Sequence, residues 1–226
     1  MSKTMGVVGG MGALATATFY AMITNIQDQH VKVEQDYLDI IIYSKTSIPD
    51  RTAYILGQSD ISPTADIIAA AVTLERAGAD FLVMPCVTAH YFYKEAAGVV
   101  GIPFINLLDE IARHVQAKGL NCVGLLATQG TLQSRILHNT LEGSGIEVLT
   151  PDPAQQAELM NMIYSTKIGG HVSAQEFDKL EDALFAKGAK SIILGCTELS
   201  LINGKMAAEH VDALSVLAHA ALKMKI

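Results

Sequence analysis

The chain has 226 residues, half of them hydrophobic, which is enough to bury one core or two small ones. Only 6% are aromatic and none is Trp, a usage that suits packed α/β layers better than an aromatic-rich β-sandwich. A net charge of −7 without any Lys/Arg run excludes nucleic acid as a partner, and three widely spaced cysteines without CxxC or His-x-x-x-His exclude a disulfide framework and give zinc no motif.

The first apolar run, 5–9, reads as a buried strand that turns through Gly9-Gly10-Met11-Gly12 into a helix over 13–28. Residues 4–27 carry no charge and follow Lys3, and Ala15-Thr16-Ala17 imitates a leader cleavage box. Gly9, Gly10 and Gly12 interrupt the run, and Asn25 and Gln27 end it, so strand, turn and helix are expected and the protein is expected in the cytoplasm. No other segment is long and apolar enough to span a membrane. Residues 37–43 form a second buried strand, followed by a loop with Pro49-Asp50-Arg51. Ser62 caps a helix with Pro63 at its first position, ending near Gly78, and strands follow at 81–84 and 103–106.

The pattern then restarts. A helix at 107–118 leads to a strand at 122–127, a turn at 128–131, a helix near 132–143 and a strand at 146–149. Helices at 153–167 and 173–187, a strand at 191–194 and an amphipathic helix over 206–224 complete the chain. Strands separated by helices of this length predict α/β architecture with parallel sheets and right-handed crossovers.

The two halves follow one plan. Gly78-Ala79-Asp80 and the run into Cys86 match Gly188-Ala189-Lys190 and the run into Cys196, while Gly6 to Gly12 parallels Gly124 to Gly130. Ligands of open α/β sheets bind outside the carboxyl ends of the strands. Two such halves facing each other would place one cysteine on each wall of a cleft.

Met84-Pro85-Cys86-Val87-Thr88 and Leu194-Gly195-Cys196-Thr197-Glu198 each set a cysteine just past a buried strand, at the expected start of a helix. Unpaired backbone N–H groups there favour thiolate. One cysteine at a strand end is usually a small buried hydrophobe, and Cys122 is read that way; two in symmetric places point to chemistry. His90, on the helical face of Cys86, is read as a buried structural histidine. The glycine turn lacks G-x-G-x-x-G spacing and the Walker lysine, so it is read as a tight turn that brings backbone to a small ligand.

Taken together, Gly-Val-Val-Gly-Gly-Met-Gly at 6–12, Ile48-Pro49-Asp50-Arg51-Thr52, the Cys86 block, Gly130-Thr131, Lys167 before Gly169 and Gly-Cys-Thr-Glu-Leu at 195–199 resemble the aspartate/glutamate racemases. The resemblance runs nearly end to end. It implies two pseudo-symmetric α/β domains, residues 1–106 plus 210–226 and 107–209, each a parallel sheet flanked by helices, with the site between them. It also implies an amino-acid racemase that works without pyridoxal phosphate, any other cofactor or metal, as a homodimer on an amino-acid or dicarboxylate substrate.

In that family Cys86 and Cys196 correspond to the catalytic acid/base pair. Inverting an α-carbon needs a base on one face and a proton donor on the other, which two thiols supply symmetrically. The implied substrate-binding set is Met11 in the glycine turn, Thr88, Thr131 and Thr197 for the α-carboxylate, Glu198 for the ammonium, and the cations Arg51 and Lys167 for a distal carboxylate. Two positions depart from the family pattern: Val87 stands where Asn is common, and Ala13 where Pro is. A lost substrate hydrogen bond at 87 would cost on the order of 1–3 kcal/mol. The alternatives are a related isomerase acting on another carboxylic acid and a non-catalytic binding protein on the same fold.

Overall fold

The computed structural model describes residues 3–29, 31–170, 172–202 and 210–225. The first half runs β1 (Thr4–Gly9), α1 (Ala13–Asp28), β2 (Asp39–Ser44), α2 (Arg51–Ile55), α3 (Thr64–Arg76), β3 (Phe81–Val83) and α4 (Tyr93–Ala97). The second runs α5 (Leu107–Ala117), β4 (Cys122–Leu126), α6 (Gln129–Ser134), α7 (Ile136–Gly143), β5 (Glu147–Leu149), α8 (Pro153–Lys167), α9 (Ala174–Ala186) and β6 (Ile192–Leu194), then β7 (His210–Asp212) and α10 (Ala213–Lys223).

Every strand pair is parallel, in the orders β2-β1-β3 and β5-β4-β6-β7. The internal repeat is therefore also a repeat of topology, with β1, β2 and β3 answered by β4, β5 and β6. Packing repeats too. A Cβ on Gly6 would lie 2.6 Å from Leu82 and 3.2 Å from Leu74, and one on Gly124 would lie 2.6 Å from Ile192 and 3.0 Å from Leu184. In both halves the central strand lacks a side chain where the crossover helix presses onto it.

Helices α1, α5 and α10 lie between the sheets. Phe19, Ile23, Leu107, Ile111, Val115, Leu214 and Leu217 join Met5, Val7, Phe81 and Val83 of one sheet and Val123, Leu125 and Ile193 of the other in a single core. Each such side chain contributes about 1.5–3 kcal/mol by leaving water. Outside the first sheet, Val8 and Leu82 meet Ile67 and Leu74 of α3. Outside the second, Leu126 and Ile192 meet Leu159 and Ile163 of α8 and Phe177 and Leu184 of α9.

Several local expectations are corrected. β2 is an edge strand, not a buried one, and Ile42 and Tyr43 are more than one-third exposed. Residues 103–106 add only a bridge, Phe104 to Leu82, to the first sheet. The expected turn at 128–131 is the start of α6, capped by the Thr128 hydroxyl, which accepts from the Thr131 N–H. The expected 132–143 helix breaks at Arg135, where φ is +54°. The last helix begins at Ala213, behind strand β7, and positions 206–209 of the expected helix lie outside the described residues. Strand β7 stands to β6 as the Phe104 bridge stands to β3, and Asn106 and Asp212 cap the helices that follow, each through its side chain.

Candidate active site

Loops after the strand ends of both sheets meet in one narrow cleft, lined by Met11, Arg51, Thr52, Cys86, Val87, Thr88, Thr128, Lys167, Cys196, Thr197 and Glu198. Each cysteine leaves its strand into a single short 3-10 turn, Thr88–Phe92 after Cys86 and Leu199–Leu201 after Cys196. The expected α-helices are absent at both places, so their macrodipoles do not act on the thiols. Both cysteines are buried, at 7% and 4% exposure.

His90 is structural, as its sequence context implies. Its Nε2 accepts from the Leu107 N–H at 3.2 Å, so Nδ1 carries the proton and donates to the Cys86 carbonyl at 2.8 Å. Burial pushes its pKa down to about 4, and the ring is neutral at physiological pH. The histidine thus fixes the backbone that aims Cys86.

The surroundings of the second cysteine are charged. The Cys196 thiol donates to Glu198 Oε2 at 3.0 Å, and the Thr197 hydroxyl donates to the same oxygen at 3.3 Å. Burial, and after it the Glu198 charge, push the Cys196 thiol well above its ordinary range, against the opposing pull of Lys167. Glu198 Oε1 is buried without a hydrogen-bond partner. A Cβ on Gly12 would stand 3.0 Å from it, so the last glycine of the first loop makes room for this carboxylate.

On the opposite side, Thr88, Thr128 and Thr131 form a closed triangle of hydroxyls, with edges of 2.8, 3.0 and 3.1 Å. Thr131 is fully buried and holds Thr88 and Thr128 without itself lining the cleft. Val87 borders the same wall, 1% exposed and part of the core between the sheets.

Arg51 is only 8% exposed. Its Nη1 donates to the carbonyls of Ile48 and Pro49 at 3.3 and 3.1 Å, and its Nη2 to the Met11 carbonyl at 3.3 Å. Its Nε is buried without a partner. Met11 therefore enters the site through its backbone, as a seat for the guanidinium. In the glycine turn, Gly10 (φ +89°) comes so close to the Lys45 backbone that a Cβ would lie 2.4 Å from it. The turn thus packs on the neighbouring strand's exit loop.

Lys167 ends α8, with its ammonium 4.9 Å above the Tyr164 ring. Burial works against its charge, but Cys196, Glu198 and Cys86 outweigh that and raise its pKa. Burial likewise opposes ionisation of Asp50, yet the Ala53 N–H and the charges of Lys167 and Arg51 hold its carboxyl below the usual range. The Tyr164 hydroxyl donates to Asp50 Oδ2 at 3.3 Å across the mouth of the cleft.

Of the residues expected to form the site, Met11, Arg51, Cys86, Thr88, Lys167, Cys196, Thr197 and Glu198 line this cleft, and Thr131 stands behind it. Sequence reasoning missed Thr52 and Thr128 as lining residues. Thr128 had a signal: a threonine following a strand and preceding a helix is an N-cap, which places it at the strand's carboxyl end. Cys122 lies away from the cleft on β4, half-buried, with its thiol raised by burial and by Glu147. Among the described residues no group of three or more His, Cys, Asp or Glu is placed to hold a metal, and no helix is long and apolar enough to cross a membrane.

Comparison with known proteins agrees with this fold. The sequence model of the family described as Asp/Glu/Hydantoin racemase matches residues 8–221. A broad specificity amino-acid racemase of Bacillus subtilis is 30% identical over 206 residues, covering 88% of this chain and 86% of that protein. The Picrophilus torridus aspartate racemase superposes with a TM-score of 0.87 at 28% identity, covering 98% of this chain and 93% of the other. An aspartate racemase homologue from Pyrococcus horikoshii superposes with a TM-score of 0.80 at 25% identity, covering 100% and 99%.

Proposed function

The chain belongs to the Asp/Glu/hydantoin racemase family and is an amino-acid racemase, and from that premise we propose that it inverts the α-carbon of aspartate, glutamate or a close relative, using Cys86 and Cys196 as opposed acid and base. The observation that carries this reading is one cleft lined by a cysteine from each half together with Arg51 and Lys167.

The chemistry follows from an α-hydrogen that is a very weak acid. A thiolate on one face takes the α-proton, and the electron pair left on carbon spreads into the α-carboxylate. The thiol on the other face then gives its proton to the same carbon. The products are the inverted amino acid and a thiol pair with exchanged states, ready for the reverse reaction. The Lys167 ammonium lies where it offsets the negative charge that builds up between the thiols. On substrate binding the hydroxyls of Thr88 and Thr128 exchange their bonds within the threonine triangle, and Thr197 its bond to Glu198, for bonds to the α-carboxylate; Thr131 supports the first two, and the unpartnered Glu198 Oε1 receives the ammonium.

Arg51 reads the distal carboxylate. Backbone carbonyls take three hydrogen bonds from its Nη atoms, while the buried Nε–H has no partner and is left, with a remaining Nη2–H, for the substrate. Two such donors suit a carboxylate.

Val87 favours a second reading, a racemase with wider tolerance, because a residue without a polar side chain borders the cleft where the family commonly has an amide. The Bacillus subtilis relative described as broad in specificity fits that alternative. The family resemblance extends the proposal to a homodimer in the cytoplasm, which sedimentation of the purified chain checks for assembly. The deciding experiment is NMR of α-hydrogen exchange in heavy water, with both enantiomers of aspartate, glutamate and a panel of neutral amino acids. Inversion of an acidic amino acid that is abolished by either Cys86→Ser or Cys196→Ser is expected. Near-native inversion in both variants would refute the two-thiol mechanism.

A further inference from the structure

The two halves repeat one plan, yet the residue two places past each cysteine differs: Thr88 in one half and Glu198 in the other. Each reaches the glycine or threonine loop that follows the central strand of the opposite half. Thr88 meets Thr128 and Thr131, and Glu198 faces Gly12. The exchange puts a buried carboxylate against one thiol and a neutral hydroxyl at the equivalent place near the other. Glu198 Oε2 accepts from the Cys196 thiol at 3.0 Å, whereas the Thr88 hydroxyl is engaged by two other threonines.

We propose that Glu198 makes the catalytic pair unequal at rest, holding the proton on Cys196 and leaving Cys86 as the standing thiolate. The physical reason is like-charge repulsion in a buried site. A thiolate at Cys196 would lose its hydrogen bond to Oε2 and sit beside a carboxylate, with little water to screen either. Placing the anion on Cys86 keeps that hydrogen bond; Lys167 acts on both thiols, more strongly on Cys196, so the repulsion by Glu198 works against its pull. Glu198 acts here through Cys196, as a positioning residue. The two carboxylate oxygens divide the work: Oε2 holds the thiol proton, and Oε1 remains free for a cation. An ammonium bound at Oε1 neutralises the carboxylate and loosens its grip on the thiol at the moment the proton is needed. The proposal rests on the reading of Cys86 and Cys196 as the reacting pair.

The test is pulsed alkylation of the full-length protein with iodoacetamide, mapped by mass spectrometry, at a series of pH values and without substrate. Only thiolate reacts, so the rate at each cysteine reports its charge. Near neutral pH Cys86 should label at least tenfold faster than Cys196 in the wild-type protein. Glu198→Gln should accelerate Cys196 about tenfold and move the midpoint of its labelling to lower pH, with Cys122 labelling unchanged as the internal reference for folding. A wild-type ratio at or below one overturns the proposal even if the variant does not fold, and so does an unchanged Cys196 profile in a folded Glu198→Gln. Labelling needs no turnover. Absence of racemisation would therefore refute the function while leaving this asymmetry standing, and the converse result would do the opposite.

Discussion

Replacing Arg51 with alanine separates two jobs that the guanidinium performs at once. Three of its donors tie the carbonyls of Ile48, Pro49 and Met11 together, while the residue lines the cleft and its buried Nε has no partner. Loss of the carbonyl ties weakens the loop for every substrate alike. Loss of the remaining donors removes a charged, two-point hydrogen bond from acidic substrates only, at a cost of about 3 kcal/mol or roughly a hundredfold. The informative quantity is therefore a ratio: kcat/KM for aspartate over kcat/KM for alanine, measured by α-hydrogen exchange. Arg51→Ala should lower that ratio about a hundredfold, and Arg51→Lys, which keeps charge without the fork, should recover about a tenth to a half of it. Lys167, which remains in the variant, limits the loss. Succinate gives a second measure, since its inhibition constant should rise by a similar factor while that of propionate stays put. Equal losses for aspartate and alanine, with succinate unaffected, would show that Arg51 serves the loop alone and that the distal carboxylate is read elsewhere.

Other outcomes follow from the same geometry. His90 titrates at about 4 when folded against about 6.5 when unfolded, so the unfolded chain binds the extra proton between those values. Stability due to this residue is complete above pH 6.5 and falls by roughly 3 kcal/mol as pH drops to 4, with no further loss below; urea titrations at pH 7 and 5 should record it, and an unchanged midpoint counts against a buried neutral ring. Gly10→Ala drives a Cβ into the Lys45 backbone at positive φ and should cost about 2–4 kcal/mol in chemical denaturation; a variant as stable as the parent would mean the turn is not held there. Leu217→Ala, in the core shared by both sheets, should cost about 2–5 kcal/mol, and a single cooperative unfolding transition should persist; separate transitions would show that the sheets unfold independently. Dialysis against a chelator should leave racemisation intact, and metal-rescued loss of turnover would contradict the thiol mechanism.

Much of this was legible because the sequence states the same plan twice. The run into each cysteine and the glycine loop after each central strand mark both walls of the cleft in the sequence itself. The failures have separate physical causes. Residues 39–44 are as apolar as a buried strand, but composition cannot say which strand ends at a sheet edge, where one side stays wet. The helix over 132–143 keeps its apolar period through Arg135, and only the backbone angle there breaks it. The turns after Cys86 and Cys196 are too short to reveal their type by periodicity, so an α-helix was expected and a helix dipole with it. Hydrogen bonds set the thiols apart instead. Their partners, the Leu107 N–H to His90 and Glu198 to Cys196, become visible only once the chain has folded.

A symmetric scaffold with an asymmetric pair of thiols is consistent with the thermodynamics of inversion. Two enantiomers have equal free energy, so kcat/KM must be the same in both directions whatever the enzyme does. No residue can favour one product at equilibrium. What the protein can set is the protonation state in which it waits, and with it the balance of kcat against KM for each enantiomer. A truly symmetric site of two buried thiols would have to share one proton between equal claimants beside Lys167, with the anion free to stand on either. Glu198 removes that degeneracy on one side, and Thr88, tied to Thr128 and Thr131, adds no charge on the other. Duplication of one α/β plan thus explains why the cleft has two thiols. The exchange of Thr88 in one half for Glu198 in the other is how they are told apart.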